Sequence, residues 1–369
     1  MELNTYDQRL NKLKNFIEEK EVDLLMITSP VNIFYFTGFY SDPHERFMAL
    51  VLERNKNQPY LFVPLLDFEA AESHSYVREI LTVSDSQDPY QVLESKVGRK
   101  PTSFGVEKKN MSLYQYERLN QWSPVRDWID IEGFITSQRI SKTPEEITKI
   151  KKAIDMIEEV MEAGRKKVQV GMLEIDLLAE LEYQMRRVGS DGPSFSTIVL
   201  TGKNSSLPHG QPVTTPIENN DFLLIDMGVK TEGYCSDITR TFIVGEASAK
   251  QEQMYNTVLE SNQKAIESVK INQPLSKVDI AAREWIKRAG YGDYFNNRVG
   301  HGMGMEVHEE PSVHEKNADL IKLGMVFTIE PGIYIPNFGG VRIEDDVYVN
   351  EKGEVEVLTT YPKKLISVG

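Results

Sequence analysis

The chain has 369 residues, 40% of them apolar and 27% charged, the balance of an ordinary globular protein with material for two cores. A formal net charge of −14 argues against nucleic-acid partners and against binding to an anionic membrane, and no apolar run reaches the ~20 residues that span a bilayer. One cysteine, Cys235, excludes an internal disulfide framework and fits a reducing compartment, so a cytoplasmic location is expected.

The opening segment is no signal peptide: Leu10, Leu13, Phe16 and Ile17 recur at helical spacing among charges and predict an amphipathic surface helix. Strands are expected at 22–28, 47–53, 59–64 and 103–107, with a hairpin turn at Lys56–Gln58 and a helix over 113–122. This describes a small α/β domain, residues 1–140. A long helix then opens with Thr143 as cap, Pro144 in the first turn, and Glu145 and Glu146 at the positive end of the dipole. It begins a second domain, 141–369, with further helices near 173–188, 250–270 and 276–289 and two hairpins. Cys235 is read as a packing residue, and His74 and His314 as surface residues.

The first hairpin covers 222–244. With its turn centred between Thr231 and Glu232, Asp226 and Asp237 face each other, unless Gly233 introduces a bulge. The second covers 326–349 and turns near Asn337, which sets Glu330 opposite Glu344; Pro331 suggests a strand edge or a bulge there. Arg342 shares a face with Glu344, as does Asp346, a weaker ligand candidate, while Asp345 points away. Like charges face to face destabilise a sheet. Either the acids lie on a solvated face, or they are buried and must protonate, pair with cations or bind metal. Oxygen ligands with one imidazole would suit Mn²⁺, Co²⁺ or Zn²⁺.

The imidazole is His301, within "VGHGMGMEVHEEP" (299–311). The alternating Gly300, Gly302 and Gly304 suggest a phosphate loop, but Glu309, Glu310 and Pro311 follow where a helix should open. Glycine would instead let the backbone approach a crowded centre. Taken in order, "DMGVKTEGYCSDITRT", "GHGMGMEVHEEP", "TIEPGIYIP" and "GGVRIEDD" resemble the prolidase and aminopeptidase P family of metallopeptidases, most nearly the bacterial Xaa-Pro dipeptidases. The resemblance implies an amino-terminal α/β domain followed by a pita-bread (α+β) catalytic domain. It implies two divalent ions, Mn²⁺ first, with Asp226 chelating one, Asp237 and Glu344 bridging the pair, and His301 and Glu330 on the other. A water between such ions is acidic enough to serve as nucleophile near neutral pH. Glu330 would shuttle protons, and His209 and His308 would steady the tetrahedral intermediate; taken alone, His308 reads equally as a capping or packing residue. Arg342 would orient a bridging acid or meet the substrate carboxylate.

A dipeptidase must read the free carboxylate of its substrate, and Arg298 is the candidate for that. The segment "TGFYSDPHERF" (37–47) holds Asp42, His44 and Arg46. On composition alone it is a solvated loop. It resembles a segment of bacterial prolidases that covers the site, often that of a partner subunit in a homodimer. The expected activity is therefore hydrolysis of Xaa-Pro dipeptides. The alternatives are an aminopeptidase P acting on longer chains, a hydrolase of another small amide, or an inert relative of the fold.

Overall fold

The computed structural model describes residues 4–56 and 58–369. The chain divides into two compact units between Gln138 and Arg139.

In the first unit, apolar runs too short for helices form one mixed sheet in the order Glu79–Val83, Tyr60–Pro64, Ala49–Glu53, Leu24–Ile27, Ser103–Val106 and Asp127–Asp130. Ala49–Glu53 is antiparallel to both its neighbours, and the remaining pairs are parallel. The four expected strands form, each trimmed by one to three residues, and the expected helix is Leu113–Trp122. Asn57, in the expected turn at 56–58, lies outside the described residues. The opening helix is Thr5–Glu19, with Leu10, Leu13 and Ile17 buried.

The second unit starts as its cap signals dictate. Thr143 Oγ1 accepts from Glu146 N–H (3.3 Å), and Glu146 Oε2 accepts in return from Thr143 N–H (2.9 Å), opening the helix Pro144–Arg165. Two helix pairs cover two sheets. Ile157 and Met161 of Pro144–Arg165, with Leu177 and Leu181 of Glu174–Arg187, pack on Leu223, Ile225 and Phe242. Met254 and Val258 of Ala249–Ser268, with Val278 and Ala282 of Ser276–Arg288, pack on Phe327, Ile329 and Val347. Phe222–Met227 and Ile238–Val244 are buried along their whole length, which is why they read as continuous apolar runs. Among the described residues no helix is long and apolar enough to cross a membrane.

Thr143→Ala removes one partner of the capping box. It should lower the stability of the second unit by about 1 kcal/mol in denaturant unfolding; an unchanged midpoint would show that tertiary packing alone sets this helix start.

Candidate metal centre

The first hairpin turns at Glu232 and Gly233, both at positive φ (51° and 82°), with Thr231 paired to Tyr234. A two-residue turn of this kind needs positive φ at both central positions, which Gly233 takes freely and β-branched Thr231 resists. The turn therefore sits one residue later than the sequence suggested, with no bulge. Asp226 lies opposite Thr239 and not Asp237, which corrects the expected pairing. The error shifts the partners by two residues, and a shift of two preserves facing. Asp226 and Asp237 line the same cavity.

The second hairpin has Asn337 at φ 60° and pairs Ile335 with Gly339 and Gly332 with Arg342. Beyond a break the same register resumes, with Ile329 opposite Asp345. Glu330 and Glu344 occupy the break, at opposite positions as the pattern indicated. Here the two strands part company. Glu330 N–H donates to Val299 O (2.7 Å), whereas Glu344 N–H donates to Thr239 O (3.2 Å) on the first hairpin. That second bond brings the two hairpins together and sets Glu344 beside the aspartates.

His301 stands on the strand Gly300–Gly302, its N–H bonded to Thr328 Oγ1 (3.2 Å). The flanking glycines serve this strand more than the site. A Cβ on Gly300 would lie 1.9 Å from Thr328 O, and one on Gly302 would lie 2.3 Å from Glu310 O. The close approach is to neighbouring backbone, a correction to the expectation of a close approach to the centre. His301 Nδ1 faces Gly302 O at 3.2 Å, and a carbonyl can only accept, so Nδ1 carries the proton. Nε2 faces Glu330 Oε1 (3.2 Å) and Asp237 Oδ2 (3.7 Å), as a donor when the ring is an imidazolium and as a ligand when a cation takes that proton's place. Electron-rich atoms this close need a proton or a cation between them.

Ligand atoms of Asp237, His301 and Glu344 all lie within 4.8 Å of one another. Asp226 Oδ1, Asp237 Oδ1 and Glu344 Oε1 are buried without a hydrogen-bond partner. Burial, reinforced by neighbouring acids, pushes the carboxyls of Asp237 and Glu344 well above the usual carboxylate range. Burial also raises Asp226, although Arg342 pulls the other way. For Glu330, burial is outweighed by the hydrogen bond and charge of His301 and by Arg342, so it lies below its ordinary value. The donor set, the proton on Nδ1 and the orphaned oxygens fit divalent metal: oxygen ligands, one imidazole and excess negative charge.

Arg342 is buried. It bonds Asp226 through Nη2, Tyr334 Oη through Nη1 (2.8 Å) and Thr239 Oγ1 through Nε (3.1 Å). Thr239 Oγ1 in turn donates to Glu344 Oε2 (2.7 Å). Of the two roles considered for Arg342, its contacts match the orienting of acids. Asp346 is wholly buried, and burial raises its carboxyl; Asp345 points away, to Arg240 and Lys363.

Asp226, Asp237, His301, Glu330, Arg342 and Glu344 line a cavity of about 860 Å³, walled by Phe195, Ile198, Leu207 and Val307, with His209, Arg298, His308 and Tyr334 also on its surface. His308 stands edge-on to His301, ring centroids 4.1 Å apart. Burial, then the His301 and Arg298 charges, lower its imidazole to about 4. Arg298 is exposed and bonds Ser312 Oγ (3.0 Å); among the described residues no carboxylate pairs with it. Asp42, His44 and Arg46 lie in the first unit. Asp42 Oδ1 accepts from His44 N–H (3.0 Å), and Arg46 pairs with Asp85 (2.8 Å). Sequence reasoning missed Thr239 and Tyr334. It also missed a buried cluster in which Glu309 meets Lys142 (2.7 Å) and Arg139 (2.6 Å), fixing the chain beside His308. Only the charge of Glu309 in "HEEP" hinted at that cluster. Cys235 is buried, its Sγ against Met305 O (3.5 Å).

A model of metallopeptidase family M24 matches residues 148–351, and one of the Creatinase/Prolidase N-terminal domain matches residues 9–141. The chain belongs to metallopeptidase family M24. Its two-domain architecture, this α/β unit followed by a pita-bread unit, is that of the prolidases. YkvY of Bacillus subtilis (strain 168), provisionally named a dipeptidase, is 39% identical over 361 residues, 97% of this chain and 99% of its own. The prolidase from Pyrococcus furiosus matches with TM-score 0.86 and 36% identity, covering 94% of this M24 chain and 99% of its own. An X-Pro aminopeptidase from Thermotoga maritima MSB8 matches with TM-score 0.86 and 33% identity, over 94% and 98%.

Burial raises the carboxyls of Asp237 and Glu344, so a cation competes with protons for their oxygens. Divalent-ion affinity of this M24 chain should therefore weaken as pH falls towards the ordinary carboxylate range, and binding in that falling range should release protons. Calorimetry in buffers of different ionisation enthalpy checks this; identical apparent enthalpies in all buffers would refute it.

Proposed function

We propose that this metallopeptidase is an Xaa-Pro dipeptidase that works with two divalent ions held by Asp226, Asp237, His301, Glu330 and Glu344. The observation that carries the reading is the set of orphaned, buried carboxylate oxygens around His301 Nε2 on the floor of a substrate-sized cavity. Bound divalent ions supply Lewis-acid polarisation of the scissile carbonyl and increase the acidity of water. The remaining work falls to the protein. Glu330, below its ordinary value, is a carboxylate ready to accept a proton and pass it to the leaving imino nitrogen. His308, neutral near pH 7, offers an N–H to charge developing on the carbonyl oxygen without itself being a cation, and His209 faces the same space. Arg342 keeps Asp226 oriented.

Support for proline comes from the apolar walls Phe195, Ile198, Leu207 and Val307. Support for a dipeptide comes from Arg298, a guanidinium on the cavity surface with no carboxylate in ion-pair contact among the described residues, suited to a free substrate carboxylate. The assignment of Asp42, His44 and Arg46 to substrate binding rests on the family resemblance alone. Mn²⁺ is the first choice of metal, with Co²⁺ or Zn²⁺ as alternatives, from the oxygen-rich donor set.

One observation favours the second reading, aminopeptidase P. The cavity adjoins another of about 750 Å³, lined by Leu178, Thr197 and Gln211 among others, and the two share Phe195, Ile198, His209 and Gly210. A longer peptide would have somewhere to go.

Hydrolysis of Ala-Pro and Ala-Pro-Ala by Mn²⁺-loaded protein separates the two readings. The dipeptidase reading expects efficient cleavage of Ala-Pro only, and a KM for Ala-Pro at least about tenfold higher in Arg298→Ala, the loss of one charge-assisted contact. Preference for the tripeptide, with Arg298→Ala indistinguishable from wild type, would establish the aminopeptidase. The proposal extends to a cytoplasmic homodimer. Exposed Tyr40, Leu65 and Leu66 lie on segments tied by the Ser41–Asp67 hydrogen bond (3.1 Å), an apolar patch suited to a partner. Sedimentation equilibrium should give twice the chain mass; a monomer at micromolar concentration would remove the dimer.

A further inference from the structure

The break that carries Glu330 and Glu344 poses a structural problem. Ile343 N–H donates to Pro331 O at 3.5 Å, but Pro331 has no N–H to return to Ile343 O. Within the break Glu330 and Glu344 answer to different partners, Val299 on one side and Thr239 on the other. At that point the hairpin's own pairing contributes a single long bond between the two strands.

A side chain from outside the hairpin spans the break. Asn262, on the helix Ala249–Ser268, is wholly buried. Its Nδ2 lies 3.0 Å from Ile329 O and 3.5 Å from Ile343 O, the carbonyls that immediately precede Glu330 and Glu344. Its Oδ1 accepts from Lys363 Nζ (3.1 Å), which also bonds Asp345 Oδ2 (2.7 Å), the residue after Glu344. An ammonium can only donate and carbonyls can only accept, so this amide has one orientation that satisfies all its partners. Its two donors are therefore committed to the two backbone positions that set the glutamates.

We propose that Asn262 is a positioning residue for the metal centre: its amide clamps the backbone before Glu330 and Glu344 and thereby fixes the gap that a shared cation fills. Lys363 locks the amide. The inference rests on the metal reading above and assigns to a residue outside the cavity part of the affinity for metal. Groups that orient ligands from behind are worth about 10- to 100-fold in metal affinity.

The test uses Co²⁺ binding by the full-length, metal-free protein, followed by calorimetry and by the visible d–d spectrum, which reports ligand geometry. Asn262→Leu, with the same branched heavy-atom shape but without donors, should bind Co²⁺ at least about tenfold more weakly, with an altered spectrum. Ser261→Ala is the matched control. Ser261 is buried on the same helix but donates to Ala282 O (3.0 Å), away from the hairpin. It should lower thermal stability and leave Co²⁺ affinity and spectrum unchanged. Wild-type affinity in folded Asn262→Leu, or an equal loss in Ser261→Ala, would overturn the proposal. If Asn262→Leu does not fold, Lys363→Met tests the same clamp: a weaker site with a shifted spectrum supports it, and an unchanged site overturns it. Wild-type protein that binds no Co²⁺ would overturn the metal reading itself, and this inference with it.

Discussion

Removing an ionised carboxylate from water costs on the order of 20 kcal/mol by idealised solvation, and several kcal/mol after a protein relaxes around it. Asp226, Asp237 and Glu344 are all buried, with Glu330 beside them, and the strands that carry them are apolar to the core on their other faces. Such a group cannot persist as four bare anions. Arg342 offsets part of the charge at Asp226, and His301 sits against Glu330 and Asp237. The remainder is left to protons or to a cation, and the geometry around the acids is arranged to keep that remainder open. Thr239, whose hydroxyl could have served as one more neutral partner, is tied between Glu344 and the Arg342 guanidinium, leaving Glu344 Oε1 free.

Much of this arrangement was legible because two properties of strands are robust to small errors. The second hairpin was placed in the right register from its turn at Asn337 alone. The first was placed two residues out, because Glu232 at positive φ is a less obvious turn residue than a glycine or asparagine. The period of two meant that the face of each aspartate survived the error. The start of the long helix, with its cap spelled out at Thr143, was legible to the residue.

What escaped the sequence was long-range. Thr239 and Asn262 carry no local signal, since they act on residues 105 and 67 positions away, and Tyr334, though only 8 positions from Arg342, matters through the Asp226 that this arginine holds from 116 positions away. The helices Pro30–Thr37 and Pro89–Lys96 were passed over because eight residues hold little more than two turns, too few for a period to show. The Glu309 cluster needed Arg139 and Lys142, some 170 positions earlier, to explain why an acid beside His308 should be buried. The loop at 41–46 was singled out for its charges, and in the structure those charges are engaged locally, with Arg46 on Asp85.

The run Glu344-Asp345-Asp346 shows how one strand treats three acids differently. Alternation sends Asp345 to one face, where Arg240 (3.1 Å), Lys363 (2.7 Å) and Thr359 (2.9 Å) meet it, and its carboxyl stays below the usual range despite complete burial. Glu344 and Asp346 go to the other face and are pushed well above that range by the same burial. The fold thus has buried cations to spare for Asp345 and withholds them from Glu344 one residue away. Arg240 even reaches the backbone carbonyl of Glu344 while its guanidinium serves Asp345. A protein that needed only a stable strand could have used apolar residues on both faces at lower cost. Fixed compensation for Asp345 and none paired directly to Glu344 is the arrangement expected where the missing charge is exchangeable: a cation that binds, works and can be removed.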